Sequence, residues 1–174
     1  MAYQYGIAII KPDSVRDGQE SKIIQDLADA GLEIVWTKYW QIQPVMVPLI
    51  YPKEVGKPTY SSTVKAIVFG PSVVVLVKDP SHVDIWTHLK EIKGKMNTDG
   101  IRHKYCDKTK VQLVLMGYEG ERLQDKLAEN RLHTADSLEE VSTILSLCLL
   151  ESERRQLEKI APDLWSKLSI RSSN

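Results

Sequence analysis

An α/β (α+β) sandwich, four antiparallel strands covered by helices on one face, is the fold that this sequence predicts. Three observations carry the prediction. Apolar residues recur with period 2 in some stretches and 3.6 in others, and the two kinds alternate in the order β-α-β-α-β-α-β. The 174 residues suit one domain with a sizeable core. No internal repeat, linker or low-complexity tract breaks the pattern.

Residues 3–10 read as a first strand, apolar almost throughout and therefore central. Residues 19–30 read as a helix with Ile23, Ile24, Leu27 and Ala28 on one face, and Gly31 is a natural stop. Residues 32–43 make a long second strand, with Ile34, Trp36, Lys38, Trp40 and Ile42 alternating against Val35, Thr37, Tyr39 and Gln41. Pro44, Pro48 and Pro52 follow at four-residue spacing. Each would cost about 3 kcal/mol inside a helix, so no regular helix is expected there. Residues 63–69 suit a short helix ending at Gly70-Pro71, and 72–78 a third, buried strand.

Residues 81–93 form an amphipathic helix with Val83, Trp86, Leu89 and Ile92 inward, and 94–102 a polar, lysine-bearing loop. Residues 111–116 suit a strand or an apolar extension, and 121–130 a helix. The stretch Asn130-Arg131-Leu132-His133-Thr134-Ala135-Asp136-Ser137 ends a short alternating run, places one histidine, and starts a helix over 137–150. Asp136 or Ser137 is its N-cap, with Glu139 and Glu140 in the first turn. Residues 151–160 are charged and helical, and Pro162 opens a short tail with Trp165 and Leu168. The whole order fits a ferredoxin-like sandwich.

Lys plus Arg and Asp plus Glu both number 23, which argues against a duplex-DNA binder. A local cationic site for a small anion remains open. Cys106 and Cys148 form no Cys-x-x-Cys pair and read as reduced thiols rather than a disulfide. His82, His88 and His103 read as surface or packing residues, and with no His-Glu-x-x-His pattern or Cys cluster no zinc site is expected. No basic leader or membrane-length apolar run is present, so the expected location is the cytoplasm.

Two stretches carry chemistry. Ile9-Ile10-Lys11-Pro12-Asp13-Ser14-Val15 runs an apolar strand into a lysine and a Pro-Asp turn. That puts an ammonium at the carboxyl end of a buried strand, where open sheets bind ligands. His133 stands just ahead of a helix N-terminus, where backbone N–H groups favour an anion. In this order and spacing the two stretches, with Gly70-Pro71 and Gly100-Ile101-Arg102, resemble the nucleoside diphosphate kinase family over roughly residues 3–149.

The resemblance implies the same ferredoxin-like fold and a Mg²⁺-dependent transfer of phosphate from a nucleoside triphosphate to a diphosphate. His133 matches the family's nucleophile, which carries the phosphate between two half-reactions. Lys11 matches the lysine on the transferring phosphate, Tyr51 the tyrosine beside the histidine, Arg102 a phosphate-clamping arginine, and Asn130 the asparagine that meets the sugar hydroxyls. A second phosphate arginine aligns with Lys90, or less well with Lys93, and the base-stacking aromatic with Thr59, beside Tyr60. The Mg²⁺ is expected on the nucleotide phosphates rather than on protein ligands.

Departures accompany these matches. A family threonine aligns with Met96, and Gly-Ser after the histidine becomes Thr134-Ala135. The glutamate that orients the histidine's second nitrogen aligns with Ile144. The resemblance also implies a unit over residues 1–150 with an insertion around 105–128, and a helical extension over 151–174. The short loop before Arg102 points to a homo-oligomer, a dimer rather than a hexamer. Two alternatives remain beside the kinase reading. One is a phosphotransferase of the same fold with another acceptor; the other is a catalytically impaired nucleotide-binding or regulatory protein.

Overall fold

The computed structural model describes residues 4–81 and 84–171, with backbone alone over 169–171. In chain order, β1 (Tyr5–Ile10) leads into α1 (Pro12–Arg16) and α2 (Glu20–Asp29), and β2 (Glu33–Trp40) follows. The next helices are α3 (Val47–Ile50) and α4 (Tyr60–Val68), before β3 (Ser72–Lys78). Then come α5 (Ile85–Lys93), α6 (Gly100–Tyr105), α7 (Lys110–Leu115) and α8 (Gly120–Ala128). The short β4 (Leu132–Thr134) precedes α9 (Leu138–Cys148), α10 (Glu151–Ile160) and α11 (Pro162–Arg171). Tyr3 at the start of the expected first strand, Val83 on the expected inward face, and His82 lie outside the described residues.

The four strands form one antiparallel sheet in the order β2-β3-β1-β4, as a ferredoxin-like sandwich requires. Helices cover both of its faces, not one. On one face Ile7, Ile9, Val74 and Leu76 pack with Val47, Ile50, Val141, Ile144, Leu157 and Leu164. On the other, Ala8, Ile10, Val73, Val75 and Val77 pack with Ile23, Leu27, Ile85, Leu89 and Ile101. The reason is in the strands themselves: both alternating sets of β1 and β3 are apolar, so neither face tolerates water. Gly6 lets α5 close on the sheet, since a Cβ there would stand 2.5 Å from a Leu89 methyl.

Several expectations are corrected. Residues 111–115 lie in α7, with Met116 as its C-cap, and not in a strand or apolar extension, because Thr109 and Gln112 form a reciprocal capping box that starts a helix. Val111, Val114 and Leu115 are exposed on it, and the fourth strand is β4 instead. Arg102 belongs to α6 rather than to a loop, and the tail after Pro162 is helical. The proline stretch does lack a regular helix. It breaks into single turns, Pro44–Met46, α3 and Pro52–Glu54, each with a proline in its first positions where no N–H is needed. Among the described residues no helix is long and apolar enough to cross a membrane.

Candidate active site

Lys11 leaves the end of β1 and His133 occupies the middle of β4, opposite Ile9. Adjacent antiparallel strands therefore bring together residues far apart in the chain. The turn before β4 is clamped to the start of α1. Lys11 N–H donates to the Arg131 carbonyl at 2.9 Å, and Arg131 N–H donates to Asp13 Oδ2 at 3.0 Å. The buried Arg131 guanidinium also reaches Asp17 at 2.5 Å and the Asp13 carbonyl at 3.0 Å. Arg131 has φ +70°, a left-handed conformation that costs a non-glycine residue about 1–3 kcal/mol and persists because the ion pairs hold it. Nothing in its local sequence signals this role.

Beside this clamp lies a cleft of about 300 Å³ lined by Lys11, Tyr51, Lys93, Arg102, Asn130 and His133 among others. Three of these are cations with neutral partners. Lys11 Nζ donates to the Ala128 carbonyl and, at 3.2 Å, to Asn130 Oδ1. Lys93 Nζ donates to Thr134 Oγ1 at 2.8 Å. Arg102 donates twice to the Leu132 carbonyl, at 3.1 and 2.8 Å. No carboxylate lies in ion-pair contact with any of the three among the described residues. Burial is the chief cause that lowers the pKa of each, holding Lys11 at about 8. Converging cations that carry such a penalty make this cleft the candidate site for an anion.

The His133 ring is half-buried and stacks at a tilt on Tyr51, centroids 4.4 Å apart and planes at 50°. Burial first, then Lys93, Arg102 and Lys11, push the imidazole pKa well below its usual value. The ring is therefore neutral near pH 7, as a nucleophile must be. Its Nε2 is sealed from solvent without a hydrogen-bond partner, which leaves Nδ1 as the nitrogen that a ligand reaches. Ile144, where the resemblance places an orienting glutamate, is fully buried in the apolar core. The Tyr51 hydroxyl is likewise buried without a partner, and burial raises its pKa.

The helix start after His133 is occupied from within. Ser137 caps α9 by accepting from Glu140 N–H at 3.2 Å, and Glu140 accepts from Asp136 N–H at 2.7 Å. Lys53 bridges Asp136 and Glu140 at 3.5 and 3.7 Å. Side-chain cations, more than the helix end, thus line the cleft.

Six of the residues singled out in the sequence meet at the cleft: Lys11, Tyr51, Lys93, Arg102, Asn130 and His133. Lys90 does not. It is exposed on α5, and Lys93, one turn later, lines the cleft instead. Thr59 and Tyr60 are not on the lining either, and Tyr60 packs against the core. Met96 lines a separate pocket with Cys106 and Arg131. Lys53 and Glu140 join the site without having been expected as phosphate contacts. Lys93 was the second of the two alignments that the sequence offered for the phosphate arginine.

Comparison with known proteins bears on this arrangement. A family model described as nucleoside diphosphate kinase matches residues 4–153. The chain is 26% identical to a nucleoside diphosphate kinase of Thermomicrobium roseum over 159 residues, covering 91% of this chain and 95% of the relative. The structure is similar to the apo enzyme of that name from Encephalitozoon cuniculi, with TM-score 0.63, 19% identity and 83% and 88% of the two chains covered. It is also similar to a halophilic nucleoside diphosphate kinase from Halobacterium salinarum in complex with CDP, with TM-score 0.57, 20% identity and 77% and 78% covered.

Proposed function

Because the chain belongs to the nucleoside diphosphate kinase family, we propose that it transfers the γ-phosphate of a nucleoside triphosphate to a nucleoside diphosphate through phospho-His133. The observation that carries this is the convergence of Lys11, Lys93 and Arg102, none of them ion-paired among the described residues, around a neutral imidazole. His133 Nδ1 forms a P–N bond as the bond from the γ-phosphorus to the bridging oxygen breaks, and the diphosphate leaves. A second diphosphate then attacks through a terminal oxygen, the P–N bond breaks, and the imidazole returns. The three cations hold the phosphoryl oxygens through both passages, which is where catalysis of this reaction is concentrated. Asn130 accepts from Lys11 and so fixes that ammonium toward the cleft.

Mg²⁺ bound to the nucleotide would supply charge neutralisation on its phosphates. The carboxylates on the cleft wall are all paired: Glu54 with Lys57, and Asp136 and Glu140 with Lys53. Among the described residues no cluster of three or more His, Cys, Asp or Glu is placed to hold a metal. These residues fit an ion that arrives on the nucleotide. A cytoplasmic dimer remains the expected setting.

The sealed Nε2 favours a slow version of this chemistry. Attack by Nδ1 needs the proton on Nε2, where it has no acceptor. With no acceptor beside it, nothing holds that proton on Nε2 or fixes the ring in the reactive tautomer. Incubation with γ-labelled ATP and Mg²⁺ tests the proposal. An acid-labile phosphoenzyme is expected to form slowly and to discharge on adding a diphosphate. Labelling no greater than that of His133→Ala would end the proposal. Label that no nucleoside diphosphate discharges would assign the phosphate to another acceptor.

A further inference from the structure

The three cleft cations share one anchor. Lys11 Nζ donates to Asn130 Oδ1, Arg102 to the Leu132 carbonyl and Lys93 Nζ to Thr134 Oγ1. Positions 130, 132 and 134 alternate around His133, so each charge is tied to the segment that carries the imidazole. The three holds differ in what they ask of the sequence. Arg102 uses a backbone carbonyl, which any residue at 132 supplies, and Lys11 adds the Ala128 carbonyl to its side-chain bond. Lys93 has Thr134 Oγ1 as its one acceptor among the described residues. Its hold alone depends wholly on a side chain.

Lys93 needs such a hold. It is the last residue of α5, where Gly94 at φ +62° turns the chain away, and its ammonium rides on a flexible four-carbon stem. Thr134 is the opposite: buried in β4, paired with Ala8 across the sheet, and stiff at χ1 because it is β-branched. Alternation along the strand turns its side chain from the His133 face toward α5, which packs on β4. One bond to the hydroxyl leaves Lys93 two further N–H donors, and both residues line the cleft. Thr134 and Lys93 are also two positions where the sequence departs from the family pattern, and these departures meet at 2.8 Å. Resting on the reading of His133 as the phosphate carrier, we propose that Thr134 is a positioning residue whose hydroxyl fixes the Lys93 ammonium for the phosphoryl group that His133 accepts.

Thr134→Val keeps the branched shape and deletes the acceptor, and Thr134→Ser restores a hydroxyl. Both are compared with wild type, Lys93→Met and Thr134→Val/Lys93→Met in single-turnover labelling by saturating γ-labelled ATP with Mg²⁺. Thr134→Val is expected to slow phosphoenzyme formation about tenfold, the lower end of what a hydrogen bond to a charged group is worth. Thr134→Ser should recover most of the rate, and in the Lys93→Met background the valine should change nothing. Equal slowing in both backgrounds, or serine as slow as valine, overturns the proposal. Thr134→Ala repeats the comparison should valine disturb β4. A second measurement needs no turnover: the Lys93 side-chain NMR signal, identified by its loss in Lys93→Met, is followed against pH. Without its acceptor the charged form loses support, so Lys93 in Thr134→Val should titrate at lower pH than in wild type. An unmoved titration overturns the hold itself, whatever the activity. A wild type that forms no phosphoenzyme, with the titration still displaced, overturns the phosphate-carrier reading and the positioning role with it, while the hydrogen bond stands.

Discussion

Replacing Lys11 by Met is expected to make the protein more stable at neutral pH while weakening the phosphate binding proposed for the cleft. The magnitude follows from the burial of the ammonium, which lowers its pKa from 10.5 to about 8. At about 1.4 kcal/mol per pH unit, holding this charge in the fold costs about 3 kcal/mol. Methionine fills the same stem space without the charge. It forfeits the bonds to Asn130 Oδ1 and the Ala128 carbonyl, at about 1 kcal/mol each. The balance favours the variant by about 1 kcal/mol, or about 2–4 °C in Tm for a chain of this size. The pH dependence is the sharper signature. Below pH 8 the lysine is charged whether folded or unfolded, and the fold bears the whole cost. Above pH 10.5 it is neutral in both states, and the cost is gone. Wild-type stability should therefore gain about 3 kcal/mol on the variant between those limits, and the order of stability should reverse. Urea denaturation of both proteins from pH 7 to 10.5 measures this. A difference that stays constant across the range would refute the account of Lys11 as a desolvated, unpaired cation.

Arg131→Met should destabilise by about 3–5 kcal/mol, because it leaves the fully buried Asp13 carboxylate without its cation; the urea midpoint reports it, and a loss below about 1 kcal/mol would show that the clamp is dispensable. The neutral His133 should make the wild type acid-sensitive. With its folded pKa well below 6.5, only the unfolded chain takes up this proton as pH falls under 6.5. Wild type should then lose stability relative to His133→Gln by up to about 1.4 kcal/mol per pH unit between pH 6.5 and the folded pKa. Parallel acid limbs in the two proteins would place the imidazole in contact with solvent.

Local pattern and pairwise chemistry were enough to fix much of this protein from its sequence. Uniformly apolar β1 and β3 announced central strands, a cap at Asp136 or Ser137 announced α9, and Lys11 and His133 were marked by the stretches around them. Burial on both faces was implicit in those same strands, whose two alternating sets are equally apolar, yet it takes packed helices to show which ones supply the second layer. Residues 111–116 misled because an apolar run at a surface looks like a strand until its cap is read, and the capping box of Thr109 and Gln112 decides for helix.

Other features depend on which parts of the chain meet. Lys93 replaces Lys90 at the cleft because the turn of α5, not the alignment, sets which side chain faces Arg102. The orphaned Nε2 of His133 reflects what surrounds the ring in three dimensions, and a missing glutamate in the sequence only hinted at it. The clamp of Arg131 on Asp13 and the hold of Thr134 on Lys93 join segments remote in the chain, so no local propensity encodes them. Sequence by itself determined most of the elements and marked the candidate side chains, since those follow from neighbours along the backbone. Tertiary structure decided how much room they enclose and which charges go unpaired, since volume and desolvation belong to the packed whole.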